Sequence, residues 1–180
     1  MKLKLLSAFA LAAMAMASQQ AFAADGTIGF TGQIQTNTCT INGGTPNFTV
    51  QLPPALTTQL TTAGNTAGRT SFQIALTSCP AAASSVHTFF EAGTYTDAST
   101  GRLNIATGGA NASGVQIQLL NNDVGNTQIK AGFSDSLQNS KAVPLASNAA
   151  TLTYYAEYYA TGATVAGTVS SSVAYTIVYN

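Results

Sequence analysis

The chain of 180 residues carries six basic and six acidic residues and one histidine, so charged side chains make up only 7% of it. Without a basic face to displace counterions from phosphates, nucleic-acid binding is a poor fit. A surface this low in charge and rich in Thr, Ser, Asn and Gln suits an assembled, structural protein better than a free monomer, which relies on charge for colloidal stability.

The first residues read as an export signal rather than as fold. Lys2 and Lys4 precede the apolar run LLSAFALAAMAMA, and Ala21 and Ala23 place small residues at the minus-three and minus-one positions, so residues 1–23 are expected to be removed. The run is too short for a stable membrane span. The mature chain is long enough for one domain with its own core, and carries four basic and six acidic residues for a formal charge near minus two.

After the signal, Gly26 to Ile34 alternates with period two: Ile28, Phe30, Gly32 and Ile34 on one side, Thr27, Gly29, Thr31 and Gln33 on the other. Cys39 and Cys79 both lie in the exported part. In an oxidising compartment they can form one intramolecular pair, with two reduced buried thiols as the alternative. Closing that loop would remove denatured-chain entropy worth about 4 kcal/mol.

Next, NFTVQL alternates Phe48, Val50 and Leu52 and is stopped by Pro53-Pro54, neither of which can donate to a ladder. Ala55 to Gly68 is the expected long connection, with room for a helical turn near Leu56 to Leu60. RTSFQIAL puts Phe72, Ile74 and Leu76 on one face. VHTFFE, GRLNIA, GVQIQLL and TQIKAG come after it as short strands, then ATLTYYAEYYA and the final run GTVSSSVAYTIVYN. Helical periodicity is missing outside the signal. Short antiparallel strands at regular spacing predict an all-β, two-layer sandwich.

Catalytic chemistry has no residues to carry it. The only imidazole, His87, sits in an apolar strand and is expected to be a partly buried polar residue. Asp97, Asp123 and Asp135 fall in turns, where carboxylates accept local backbone hydrogen bonds. One His and two Cys make no metal ligand set, Gly108-Gly109 lacks the lysine of a phosphate loop, and no cofactor is implied. Tyr154 and Tyr158 share one strand face, Tyr155 and Tyr159 the other. One row is expected in the core and the other at a surface or subunit contact; the alternative is a secreted carbohydrate-binding sandwich using Tyr154 and Tyr158.

The two ends belong together. Val173, Tyr175, Ile177 and Tyr179 form one face of a last strand too apolar to be left as an exposed edge. The well-patterned strand that begins after the signal could cover it, within one chain or from the next.

With these features the chain resembles the major structural subunits of chaperone–usher fimbriae, the type 1-like pilins of Gram-negative bacteria. The marks are GTIGFTGQI, NTCTI and FQIALTSCP around the cysteines, GVQIQLL, YYAEYYATG, and an ending with Gly167 fourteenth from the last residue and Tyr179 penultimate. The resemblance implies an immunoglobulin-like sandwich lacking its last strand, exported through the periplasm to a surface fimbrium. A periplasmic chaperone lends that strand first, and the extension of the next subunit replaces it at the outer-membrane usher, a form of β-augmentation. It implies a homopolymer with minor fimbrial subunits as further partners, and adhesion as the role. A minor or tip subunit is the alternative within the family, although a two-domain adhesin would need about twice the length. Carried onto this sequence, residues 24–35 become the donor extension, with Ile28, Phe30, Gly32 and Ile34 as its row, and 36–180 the pilin domain. Gly32 would fit where the receiving groove is shallow. The acceptor edge would be formed or flanked by Gly167, Val173, Tyr175, Ile177 and Tyr179, with either face of the last strand lining the groove. Cys39 and Cys79 would tie the first resident strand to its neighbour.

Overall fold

Alternation of period two builds two sheets whose inner faces meet. The computed structural model describes residues 29–32 and 38–180, and the chain divides into two units at Ile34/Gln35. Every described strand lies in the second unit. They are β1 (Thr40–Ile41), β2 (Thr66–Thr77), β3 (Ser85–Phe90), β4 (Ser113–Asn121), β5 (Gln128–Ile129), β6 (Val143–Pro144), β7 (Ala150–Val165) and β8 (Tyr175–Tyr179), with a one-turn helix α1 (Asp135–Gln138) before β6. One sheet has the order β1-β2-β7-β4-β5 and the other β6-β3-β8, all paired antiparallel.

The centre of the core is set by β7, the longest strand, flanked on both sides. Its inward row, Leu152, Tyr154, Ala156 and Ala160, meets Val86, Thr88 and Phe90 of β3, all buried. The Tyr154 ring packs edge-on against Phe90, and its hydroxyl donates to Thr88 Oγ1 at 3.0 Å, which satisfies the one polar group this large side chain brings inside. Fully buried apolar side chains of this size contribute about 1.5–3 kcal/mol each. Bulges interrupt the long strands at Gly68 and Gly114, which adopt φ of +66° and +72°, a conformation glycine reaches without a Cβ penalty.

The outward row of β7 departs from simple alternation. Glu157 faces away from the core yet is 2% exposed, because Arg69 Nε donates to it at 2.7 Å and Gln118 Nε2 at 3.1 Å. Arg102 lies over the Tyr159 ring, 3.6 Å from its centroid. Beside this cluster Gln116 Nε2 donates to Asp97 and Asn104. Asp97 also accepts from the Ser99 hydroxyl and backbone N–H, and these bonds hold its carboxyl far below the usual carboxylate range, Ser99 contributing most.

Three segments differ from the sequence expectation. GRLNIA forms only isolated bridges, Leu103 to Thr96 and to Ile117. β6 and α1 have no counterpart among the expected elements; α1 is secured by Gln138, whose buried amide accepts from the Phe90 N–H and donates to the Phe90 carbonyl. NFTVQL keeps its alternation, with Val50 and Leu52 half-buried and Phe48 42% exposed, but it pairs with no strand among the described residues. His87 is buried, its Nε2 2.8 Å from Asp135.

Candidate functional site

The side of the sandwich between β2 and β8 is unfinished. β8 pairs with β3 alone among the described residues. The bonds Glu91 N–H to Ala174 C=O and Asn180 N–H to Ser85 C=O set the ladder. In an antiparallel ladder the direction of the backbone groups alternates, so Ala174, Thr176 and Val178 face β3. Tyr175, Ile177 and Tyr179 therefore turn their N–H and C=O groups to the open edge. Opposite Tyr179 lies Cys39, at the start of β1, which pairs with β2, and opposite Tyr175 lies Pro46, where a segment 46–55 begins that makes no backbone–backbone hydrogen bond to any described residue. Where Tyr175 meets this segment, two lips with unmet backbone groups face each other.

The floor between the lips is apolar. The face carrying Val173, Tyr175, Ile177 and Tyr179 points into the sandwich and packs on the core, while Ala174 and Thr176 point outward and are exposed. Burial weakens toward this side: Ile177 is 7% exposed, but Val173, Tyr175 and Tyr179 are only half-buried, as is Phe72 of β2. Phe48 on the far lip lies 6.2 Å from Phe72 and 6.3 Å from Tyr175, ring centre to ring centre. Apolar surface left this open beside unpaired backbone is the shape of a missing strand.

Two tyrosines cross the gap. The Tyr175 hydroxyl donates to the Pro46 carbonyl at 2.7 Å, and the Tyr179 hydroxyl accepts from the Cys39 N–H at 2.9 Å. Partial burial raises the Tyr175 pKa above its ordinary value, because desolvation disfavours the phenolate. The far lip is anchored at its start by β1, by the Asn42 Oδ1 bond to the Ala75 N–H, and by the disulfide between Cys39 and Cys79.

The other residues that the sequence singled out are placed unevenly. Ile28 and Ile34 lie outside the described residues, as does the signal segment. Phe30 is exposed, and a Cβ at Gly32 would meet nothing within 4 Å. Gly167 is not on β8. It lies against Asn111–Ala112, next to the parallel bridge of Asn111 with Thr168. A sugar platform on Tyr154 and Tyr158 is ruled out by position: Tyr154 is 2% exposed inside the core and Tyr158 faces inward against it. The residues that sequence reasoning missed are Pro46 and Phe48 as the far lip. Their signal was present, an alternating run halted by prolines, but it reads as an ordinary strand until its partner is found missing.

An antiparallel sandwich with one strand position left open defines the class: an incomplete immunoglobulin-like domain built to take a strand from elsewhere. The pattern of the family described as Type-1 fimbrial protein, A matches residues 52–180. The major fimbrial subunit SMF-1 of Stenotrophomonas maltophilia is 47% identical over 171 residues, covering 93% of this chain and 99% of that protein. The F17 fimbrial protein of Escherichia coli is 42% identical, covering 95% and 97%. The P pilus rod subunit PapA superposes with a TM-score of 0.60 at 16% identity, over 80% of this chain and all of PapA. A chaperone–usher pilus structure gives 0.62 at 16% identity over 87% and 96%, and both share the fold. The chain belongs to the type-1 fimbrial protein family and is a structural subunit of a surface fimbria.

Proposed function

We propose that this subunit polymerises by lending residues 24–35 to a neighbour and receiving the same segment from another copy along β8. Ile28, Phe30, Gly32 and Ile34 form the row that enters the apolar floor, and their backbone completes the ladder that Tyr175, Ile177 and Tyr179 leave open. Residues 1–23 direct export and are removed. A periplasmic chaperone holds the open edge during transit, an outer-membrane usher is the site of exchange, and minor fimbrial subunits join the same fibre. Donor and acceptor surfaces differ, so the contact is head-to-tail and propagates instead of closing.

The observation that carries this reading is the one-sided pairing of β8 among the described residues, beside a segment 46–55 that makes no backbone–backbone bond to any of them. Deleting Ala24 to Ile34 is expected to leave a domain that captures a synthetic donor peptide but adds no further subunit; normal polymerisation of the deletion would refute the assignment. Gly32→Leu is expected to slow subunit joining at least tenfold while the disulfide forms normally. Equal joining rates for Gly32→Leu and wild type would remove the shallow-groove role of Gly32.

A further inference from the structure

Two hydrogen bonds cross a space that no described strand occupies. Along the far lip the contacts run from Cys39 to Pro46, while along β8 they run from Tyr179 back to Tyr175, so the two lips are antiparallel. Both tyrosines belong to the inward row, four residues apart, so they stand on the same face of the strand, about 14 Å apart. Each reaches from one lip backbone to the other lip backbone beneath the open position. An extended tyrosine plus its hydrogen bond spans roughly 9 Å, close to two inter-strand spacings of about 4.8 Å each. That length matches two strands with one strand between them, and the bridge that reaches Cys39 also crosses to the sheet of β1.

We propose that Tyr175 and Tyr179 are spacers that hold the two lips one strand apart before the donor arrives. The proposal rests on the strand-accepting reading above and assigns these side chains a role separate from lining the floor. Near Cys39 the far lip is already held by β1, the disulfide and the Asn42 bond to Ala75, so it is from Pro46 onward that the bridges set the distance between lips. The segment 46–55 makes no backbone–backbone bond to any described residue, and apolar surfaces such as Phe48 and Phe72 gain by closing over an empty slot. With the bridges, a backbone group on the far lip is fixed through a hydroxyl that lies below the plane of the incoming strand. The ladder positions of β8 stay free, because the bridges use side-chain oxygens only. The Tyr175 hydroxyl donates and the Pro46 carbonyl can only accept, so this bridge has a fixed direction. Spacing set in advance shortens the search an incoming strand must make, so the effect falls on the rate of capture more than on the lifetime of the product.

The test compares the full chain, kept monomeric, with Tyr175→Phe, Tyr179→Phe and the double variant, which keep the rings and remove only the hydroxyls. A fluorescein-labelled peptide of residues 24–36 reports strand capture by polarisation. Nitroxide labels at Asn47→Cys and Thr176→Cys, both on exposed positions, report the lip-to-lip distance without any peptide. The double variant is expected to capture peptide at least tenfold more slowly, to release it at the wild-type rate, and to show a broadened or shortened distance distribution. Unchanged capture and unchanged distances overturn the spacer role. Capture and release slowed or accelerated together, with lost far-UV signal, overturn it too, because that is general loosening. Failure of the wild-type chain to take up the peptide would instead remove the strand-accepting reading, and the spacer role with it.

Discussion

Gly167→Ala adds one methyl group at a place where two backbones touch. A Cβ there would overlap the Ala112 nitrogen and the Asn111 carbonyl carbon and sit 2.6 Å from the Ala110 carbonyl oxygen. None of these is the movable end of a flexible side chain. Relief requires separating segment 110–112 from 167–168, which are joined by Ala112 N–H to Thr168 C=O and Thr168 N–H to Ala110 C=O, both 2.9 Å. Overpacking of this kind costs about 1–3 kcal/mol, and each lost backbone bond about 1 kcal/mol net. The expected loss is therefore about 3–5 kcal/mol, a large part of the 5–15 kcal/mol typical of a domain. Gly162→Ala is the control, since a Cβ there meets nothing within 4 Å, and its expected change stays within about 0.5 kcal/mol. Urea unfolding with the disulfide intact, followed by tyrosine fluorescence because the chain has no tryptophan, measures both. A Gly167→Ala loss below about 1 kcal/mol, or one equal to that of Gly162→Ala, would refute close approach as the reason for glycine.

Arg69→Met keeps the aliphatic stem but leaves the buried Glu157 carboxylate with only the Gln118 amide. The expected loss is about 2 kcal/mol, less than for a fully buried pair because Arg69 is open to water, and Arg69→Met with Glu157→Gln recovers most of it in the same urea assay. Asp97 has its folded pKa depressed below the ordinary 3.8 by bonds from Ser99 and Gln116, so its stabilising contribution is complete above that value and is lost as pH falls through the folded one. The stability difference between wild type and Asp97→Asn is accordingly expected to be flat from about pH 7 to pH 5 and to shrink below about pH 4; a difference that grows on acidification would contradict the assignment.

Strands with partners in the chain were legible because their apolar rows are long and strict: Phe72, Ile74 and Leu76 on β2, Leu152 and Tyr154 on β7. β6 and α1 were not, since two or four residues hold no period, and α1 depends on Gln138 bonding to Phe90, a contact 48 positions away. Glu157 illustrates the limit of alternation. It has an outward address, yet Arg69 and Gln118 from neighbouring strands bury it. Around the site, the shared face of Val173, Tyr175, Ile177 and Tyr179 could be drawn from period two, but not whether that face was the core one. Phe48 and its run carried a strand pattern that period alone could not distinguish from a strand with a resident neighbour. Gly167 stood out by its place near the end of the chain, whereas its physical role depends on Asn111 and Ala112, more than fifty residues earlier.

The antiparallel arrangement of the lips also has a mechanical consequence. A donor strand that runs beside β8 and is pulled along its own length meets the load in the strand direction. Tension then loads all its rungs together, in shear, and not one after another as in peeling. Failure requires the whole row to slip by two residues at once, because a slip of one would turn every apolar side chain toward water. A joint made of ordinary hydrogen bonds and a few buried side chains thereby resists tension far better than the same contacts arranged to unzip.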